Sequence, residues 1–123
     1  VTKKTIMIVD DSASLRQVVS IALKGAGYDV IEGDNGKTAL AKLTGQRVHL
    51  IVSDVNMPEM DGITFVKAVK QLPAYKFTPV VMLTTESADD KKREGQLAGA
   101  KAWMTKPFRP EQLLGVVQKL VLP

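Results

Sequence analysis

Cysteine is absent from this chain of 123 residues, which excludes disulfides, thiolate nucleophiles and thiolate zinc sites. A reducing, cytoplasmic setting is the natural expectation. No apolar run approaches the roughly 18 residues that a membrane-spanning helix needs. The opening Val1-Thr2-Lys3-Lys4 does not lead into a signal-peptide core, because Ile6-Met7-Ile8-Val9 stops at once on two aspartates. Repeats, low-complexity tracts and linker-like stretches are missing too. Residues 1–123 are therefore expected to form one domain with no output domain attached. Aromatic residues make up only 5%, and no stacking platform or recognition-helix module accompanies the basic charge. That charge is +4, enough to raise nucleic-acid binding as a question. The lysines are scattered, however, and the one run, Lys91-Lys92-Arg93, is flanked by Asp89, Asp90 and Glu94. A solvated helix face accounts for it, so neither nucleic acid nor membrane is expected as a partner.

What is present is a strict alternation of short apolar runs with helical patterns. Thr5–Val9 reads as a first strand ending on Asp10-Asp11. Ser12 or Ser14 can cap a helix whose buried stripe is Leu15, Val18, Val19, Ala22 and Leu23, ended by Gly25 and Gly27. Tyr28–Glu32 is a partly polar second strand, suited to an edge. Asn35-Gly36 opens a second helix with Ala39, Leu40 and Leu43 on its apolar side. Leu50–Ser53 is β-branched and aliphatic, a strand buried on both faces, and it runs into Asp54. A third helix turns Phe65, Val66 and Val69 inward and stops at Leu72-Pro73. Pro79–Leu83 is the fourth strand, and the fourth helix, about Asp89 to Ala98, is the least apolar. Ala102–Thr105 is the fifth strand; Pro110 starts a last helix with Leu113, Leu114, Val117 and Leu120 facing the core. Five strand–helix pairs imply an α/β fold: a doubly wound, five-stranded parallel sheet with five helices.

Parallel strands place all their carboxyl ends on one edge, where such sheets bind ligands. That edge collects Asp10 and Asp11 from the first strand, Asp54 from the third, Thr84 from the fourth and Lys106 from the fifth. Three carboxylates about 5 Å apart repel by roughly 3 kcal/mol per pair at an effective dielectric near 20. Such a cluster needs a divalent cation or a raised pKa. Hard oxygen ligands favour Mg²⁺ over zinc. Mg²⁺ on one side, Lys106 on the other and the Thr84 hydroxyl at a third oxygen would cover the charge of a transferring phosphoryl group. Asp54, on the central strand, is best placed as the nucleophile. His49 is tempting as a phosphate carrier, but five residues of extended chain put it roughly 16 Å from Asp54, which favours a structural role.

The segments Val9-Asp10-Asp11-Ser12, Asp54-Val55-Asn56-Met57-Pro58-Glu59-Met60-Asp61-Gly62, Thr84-Thr85-Glu86 and Lys106-Pro107-Phe108 resemble the receiver domain of bacterial response regulators. With no output domain, the chain is most similar to the single-domain chemotaxis regulators of the CheY type. The resemblance implies a flavodoxin-like strand order 2-1-3-4-5. It also implies that Asp54 accepts a phosphoryl group from a CheA-like histidine kinase. Asp11, the Asp54 carboxylate and the backbone carbonyl of Asn56 would bind Mg²⁺, with Asp10 acting through metal-bound water. Lys106 would pair with the phosphoryl group, Thr84 would swing toward it, and the aromatic Trp103 would turn inward in response. The face built from the fourth helix, fifth strand and last helix would then change its affinity for a flagellar motor switch protein or another effector, possible phosphatases included. Asn56, Thr85 and Glu86 would modulate rates, a cis Lys106–Pro107 peptide is implied, and a monomer is expected. Such a domain is a phosphoacceptor that assists its own phosphorylation and slow dephosphorylation, not an enzyme. Trp103 in place of the usual tyrosine, and the β-branched Thr85 where a small residue is common, depart from the pattern. Crowding by Thr85 implies slower phosphorylation and hydrolysis than in a Thr85→Ala variant.

Other readings stay open. Asp10-Asp11 could cap the first helix, and Lys106 could be an ordinary surface lysine. A phosphate sink or phosphorelay intermediate fits the same motifs. From another class, a haloacid-dehalogenase-type phosphatase needs an acid two residues after its nucleophile, where this chain has Asn56, which is no general acid.

Overall fold

The computed structural model describes residues 3–55, 57, 59–84 and 99–121. The strands are β1 (Thr5–Val9), β2 (Asp29–Gly33), β3 (Leu50–Asp54), β4 (Val80–Thr84) and β5 (Ala102–Thr105). The described helices are α1 (Ala13–Gly25), α2 (Gly36–Lys42), α3 (Gly62–Lys70) and α4 (Pro110–Leu120). The expected helix over 89–98 lies outside the described residues, as do Asn56, Thr85 and Glu86.

All four strand pairings are parallel, in the order β2-β1-β3-β4-β5. The α/β parallel sheet is the one the alternating pattern predicted, and its order is the one the resemblance implied. Alternation along each central strand divides the core in two. Met7, Val9, Ile51, Val80 and Met82 pack with Ala39 of α2 and Phe65, Val66 and Val69 of α3. Ile6, Ile8, Leu50, Val52, Val81 and Leu83 pack with Val19 and Leu23 of α1 and Leu113 and Val117 of α4. A strand buried on both faces must be apolar at every position, and β3 and β4 are buried throughout. Polarity therefore enters only at their carboxyl ends, Ser53-Asp54 and Thr84.

Among the described helices, α1, α2 and α3 each start on a side chain that satisfies an otherwise orphaned backbone donor. Ser12 Oγ accepts from the Leu15 N–H, and Asp61 Oδ1 from the Thr64 N–H at 2.8 Å. Asn35 and Thr38 cap reciprocally. Pro110 opens α4, where Gln112 Oε1 accepts from the Arg109 N–H at 2.9 Å. Val18 departs from its expected place in the buried stripe of α1: it is 52% exposed, while Ser20 beside Val19 is buried. Leu114 and Leu120 are half-buried and pack against the same core layer as Leu113 and Val117, as expected.

Candidate phosphoacceptor and metal site

Each of the β1 and β3 ends delivers a carboxylate because the strand stops there. Asp10 follows β1 and is fully buried; Asp54 closes β3 and is 5% exposed; Asp11 is exposed. Register keeps them together, since Val9 pairs with Ser53 across the two strands. One oxygen from each of Asp10, Asp11 and Asp54 lies within 4.8 Å of the others. Thr84 ends β4, fully buried, in register with Thr105. Lys106 follows β5, held by its N–H on the Thr84 carbonyl at 2.6 Å, and its peptide to Pro107 is cis. The sheet thus brings Asp10, Asp11, Asp54, Thr84 and Lys106 to one edge.

The Lys106 ammonium bridges two of the acids, 2.7 Å from Asp10 Oδ2 and 3.3 Å from Asp54 Oδ1. The other Asp10 oxygen accepts from the Ser12 N–H at 2.8 Å. Burial pushes the Asp54 carboxyl above its ordinary pKa, the charge of Asp10 adds to the rise, and Lys106 offsets part of it. Burial works against the Lys106 charge, but the hydrogen bond and charge of Asp10, then Asp54, outweigh it and hold its pKa up. Three carboxylates under one ammonium leave two negative charges uncompensated. A divalent cation with hard oxygen preference fits that deficit, and the donors at hand are all carboxylate oxygens.

Two residues that the sequence did not single out shape the pocket. Arg16, one turn into α1, donates from Nη1 to the Asp10 carbonyl at 2.5 Å and from Nε to Glu32 at 3.2 Å. It ties α1 and β2 to the end of β1. Gly62 sits against β3 so closely that a Cβ there would lie 2.0 Å from the Asp54 carbonyl oxygen. Its N–H donates to the Val55 carbonyl at 2.8 Å. The Arg16 contact had only helical spacing as a signal, one turn after the Ser12 cap. Gly62 stood in the motif without a stated task.

Trp103 is half-buried on β5, paired with Met82 and packed against the α2–α3 side of the core. Its indole N–H is buried and has no hydrogen-bond partner among the described residues. His49 has a structural role, as expected: Nδ1 accepts from the Thr5 N–H at 3.0 Å, at the far end of β3.

The model of the response regulator receiver domain matches residues 6–118. The chain belongs to the response regulator receiver domain family. Protein PilG of Pseudomonas aeruginosa is 36% identical over 113 residues, covering 92% of this chain and 84% of PilG. The phosphate regulon transcriptional regulatory protein PhoB of the same organism is 36% identical over 111 residues; the match spans 90% of this chain but only 48% of PhoB. Among solved structures, Vibrio cholerae chemotaxis protein CheY4 superposes with a TM-score of 0.93 at 50% identity, covering 97% of this chain and 99% of CheY4. As a receiver, the chain is a phosphoacceptor of two-component signalling, and its family implies a histidine kinase as partner. Among the described residues no helix is long and apolar enough to cross a membrane.

Proposed function

We propose that Asp54 of this receiver takes a phosphoryl group from a CheA-like histidine kinase in the cytoplasm, and that the modified domain regulates the flagellar motor switch in chemotaxis. The observation that carries the chemistry is the pocket itself: three carboxylates within 4.8 Å and the Lys106 ammonium 3.3 Å from Asp54. The likeness to a chemotaxis protein over nearly the whole chain supports the motor as the destination.

Asp11, Asp54 and the Asn56 carbonyl would hold Mg²⁺, with Asp10 acting through metal-bound water. When bound, the ion supplies charge neutralisation for the transferring phosphoryl oxygens. An Asp54 oxygen attacks phosphorus, the bond from phosphorus to the donor imidazole nitrogen breaks, and that nitrogen leaves with its electron pair and is protonated. Lys106 already lies beside Asp54, so a small movement shifts its ammonium to a phosphoryl oxygen while Asp10 continues to anchor it. Thr84 turns its hydroxyl toward another oxygen, Trp103 follows, and the β5–α4 surface changes its partner affinity by population shift.

Incubation with Mg²⁺ and acetyl phosphate is expected to label one carboxylate per chain, with none in Asp54→Ala. Label that persists in the variant overturns the assignment, and rapid phosphate release with no accumulated label would mark a hydrolase. Tryptophan fluorescence is expected to change with the phosphodonor. Pull-down of a flagellar motor switch protein by the phosphorylated form only would support motor control; equal capture by both forms would oppose it.

A further inference from the structure

At the opposite edge of the sheet from Asp54, the segments leading into β3, β4 and β5 and the end of α4 line an open cleft of about 690 Å³. That volume is within the range of small-ligand sites. Its walls include Arg47, His49, Phe77, Thr78, Lys101 and Lys119, and none of the described residues lining it is acidic. Three cationic residues on one concavity, with no carboxylate among the described residues that line it, concentrate positive potential there.

The walls are built rather than incidental. Tyr75 is 3% exposed, and its hydroxyl accepts from the Gly45 N–H and donates to the Gln46 carbonyl, both at 2.8 Å, fixing the rim of the cavity. The Lys101 N–H donates to the Val80 carbonyl at 2.8 Å, which anchors the strand entrance carrying that cation. His49 uses Nδ1 as an acceptor from Thr5, so its ring proton is on Nε2 and offers a neutral donor. Phe77 is 87% exposed, more than any other large apolar side chain among the described residues. It contributes nothing to either core layer.

We propose that this cavity binds a nucleoside phosphate, with the phosphate groups on Arg47, Lys101 and Lys119 and the base against Phe77. A multiply charged anion answers the clustered cations, and an aromatic base answers the exposed Phe77 ring, beside the Lys76 ammonium that lies 5.1 Å from its centroid, since stacking is available to every base. An inorganic anion would leave the ring unused; an apolar ligand would leave the cations unmatched.

The test is calorimetric titration of the full chain with ATP, AMP and pyrophosphate in EDTA, so that no metal–nucleotide complex can be recruited to the acidic pocket. ATP is expected to bind once per chain with Kd below about 1 mM. Lys101→Glu with Lys119→Glu should weaken it by at least about tenfold, and Lys101→Gln with Lys119→Gln by a smaller factor. Phe77→Ala should weaken ATP and AMP by about fivefold or more and leave pyrophosphate unchanged. Circular dichroism and acetyl phosphate labelling of Asp54 are expected to match wild type in every variant. Absence of ATP binding at several times that concentration overturns the proposal, and so does affinity indifferent to these substitutions. A glutamate-rich peptide that binds and is not displaced by ATP would assign the surface to a protein partner instead.

Discussion

Asp10 and Asp54 share the Lys106 ammonium, and Asp54 holds the weaker claim, 3.3 Å against 2.7 Å. Burial, with the charge of Asp10 added, makes its carboxyl harder to ionise in the folded protein than in the unfolded chain, and Lys106 offsets only part of this. Between the ordinary carboxylate pKa and the raised folded value, the native state holds more protons than the unfolded one. Stability contributed by this group therefore falls as pH rises through that window, and the deficit is complete above it. Asp54→Asn removes the charge and keeps the shape. In EDTA at pH 7 the variant should be more stable than wild type, measured by urea unfolding. The difference should vanish below the ordinary carboxylate range, where both side chains are neutral. A variant less stable than wild type at pH 7 would show that the Lys106 contact outweighs burial and repulsion. The acceptor residue is in this sense a destabilised group, held in place by the strands around it.

The junction between β3 and α3 is where backbone packing, rather than charge, fixes the acceptor. A Cβ at Gly62 would fall 2.0 Å from the Asp54 carbonyl oxygen and 2.9 Å from Met82 Cε. The methionine can move, but the carbonyl belongs to a strand paired on both sides. Gly62→Ala is expected to cost about 3 kcal/mol and to slow Asp54 labelling, because relief requires the end of β3 to shift. Stability within about 0.5 kcal/mol of wild type, with normal labelling, would contradict this. Much at this scale was legible in the sequence. Apolar runs gave the strands to within a residue, since burial on both faces leaves no room for polarity until the strand ends. Ser12 or Ser14, Asn35 and the first-position Pro110 marked helix starts because they meet local backbone needs, and the structure selects Ser12. Val18 was misplaced for the converse reason. Its apolar side chain fits the periodic stripe, yet the arc of α1 against the sheet is centred on Val19 and Leu23 and takes in Ser20. Arg16 was invisible because its acceptor is a strand carbonyl brought near only by the fold.

At the scale of the whole molecule, strand ends from distant parts of the chain converge, so the acidic cluster exists only in the folded state. Asp11 and Asp54 are 43 positions apart in the sequence, and nothing holds them together once the sheet opens. The site was nevertheless legible before the structure, because parallel strands share one carboxyl edge and the chemistry-bearing residues fall at each strand's end. What the sequence left open was the balance of charge there, which depends on which oxygens Lys106 reaches. A ligand that binds only the folded chain stabilises it by mass action, by about 2.7 kcal/mol at a hundred times its Kd. Mg²⁺ should therefore raise the unfolding temperature of wild type by about 10 °C at such a concentration, reversibly with EDTA. In Asp11→Asn with Asp54→Asn the rise should disappear. The two effects at Asp54 then cross: its substitution stabilises the protein without metal and removes most of the gain with it. An Mg²⁺ response of equal size in wild type and the double variant would place the ion elsewhere, and with it the source of charge neutralisation for phosphoryl transfer.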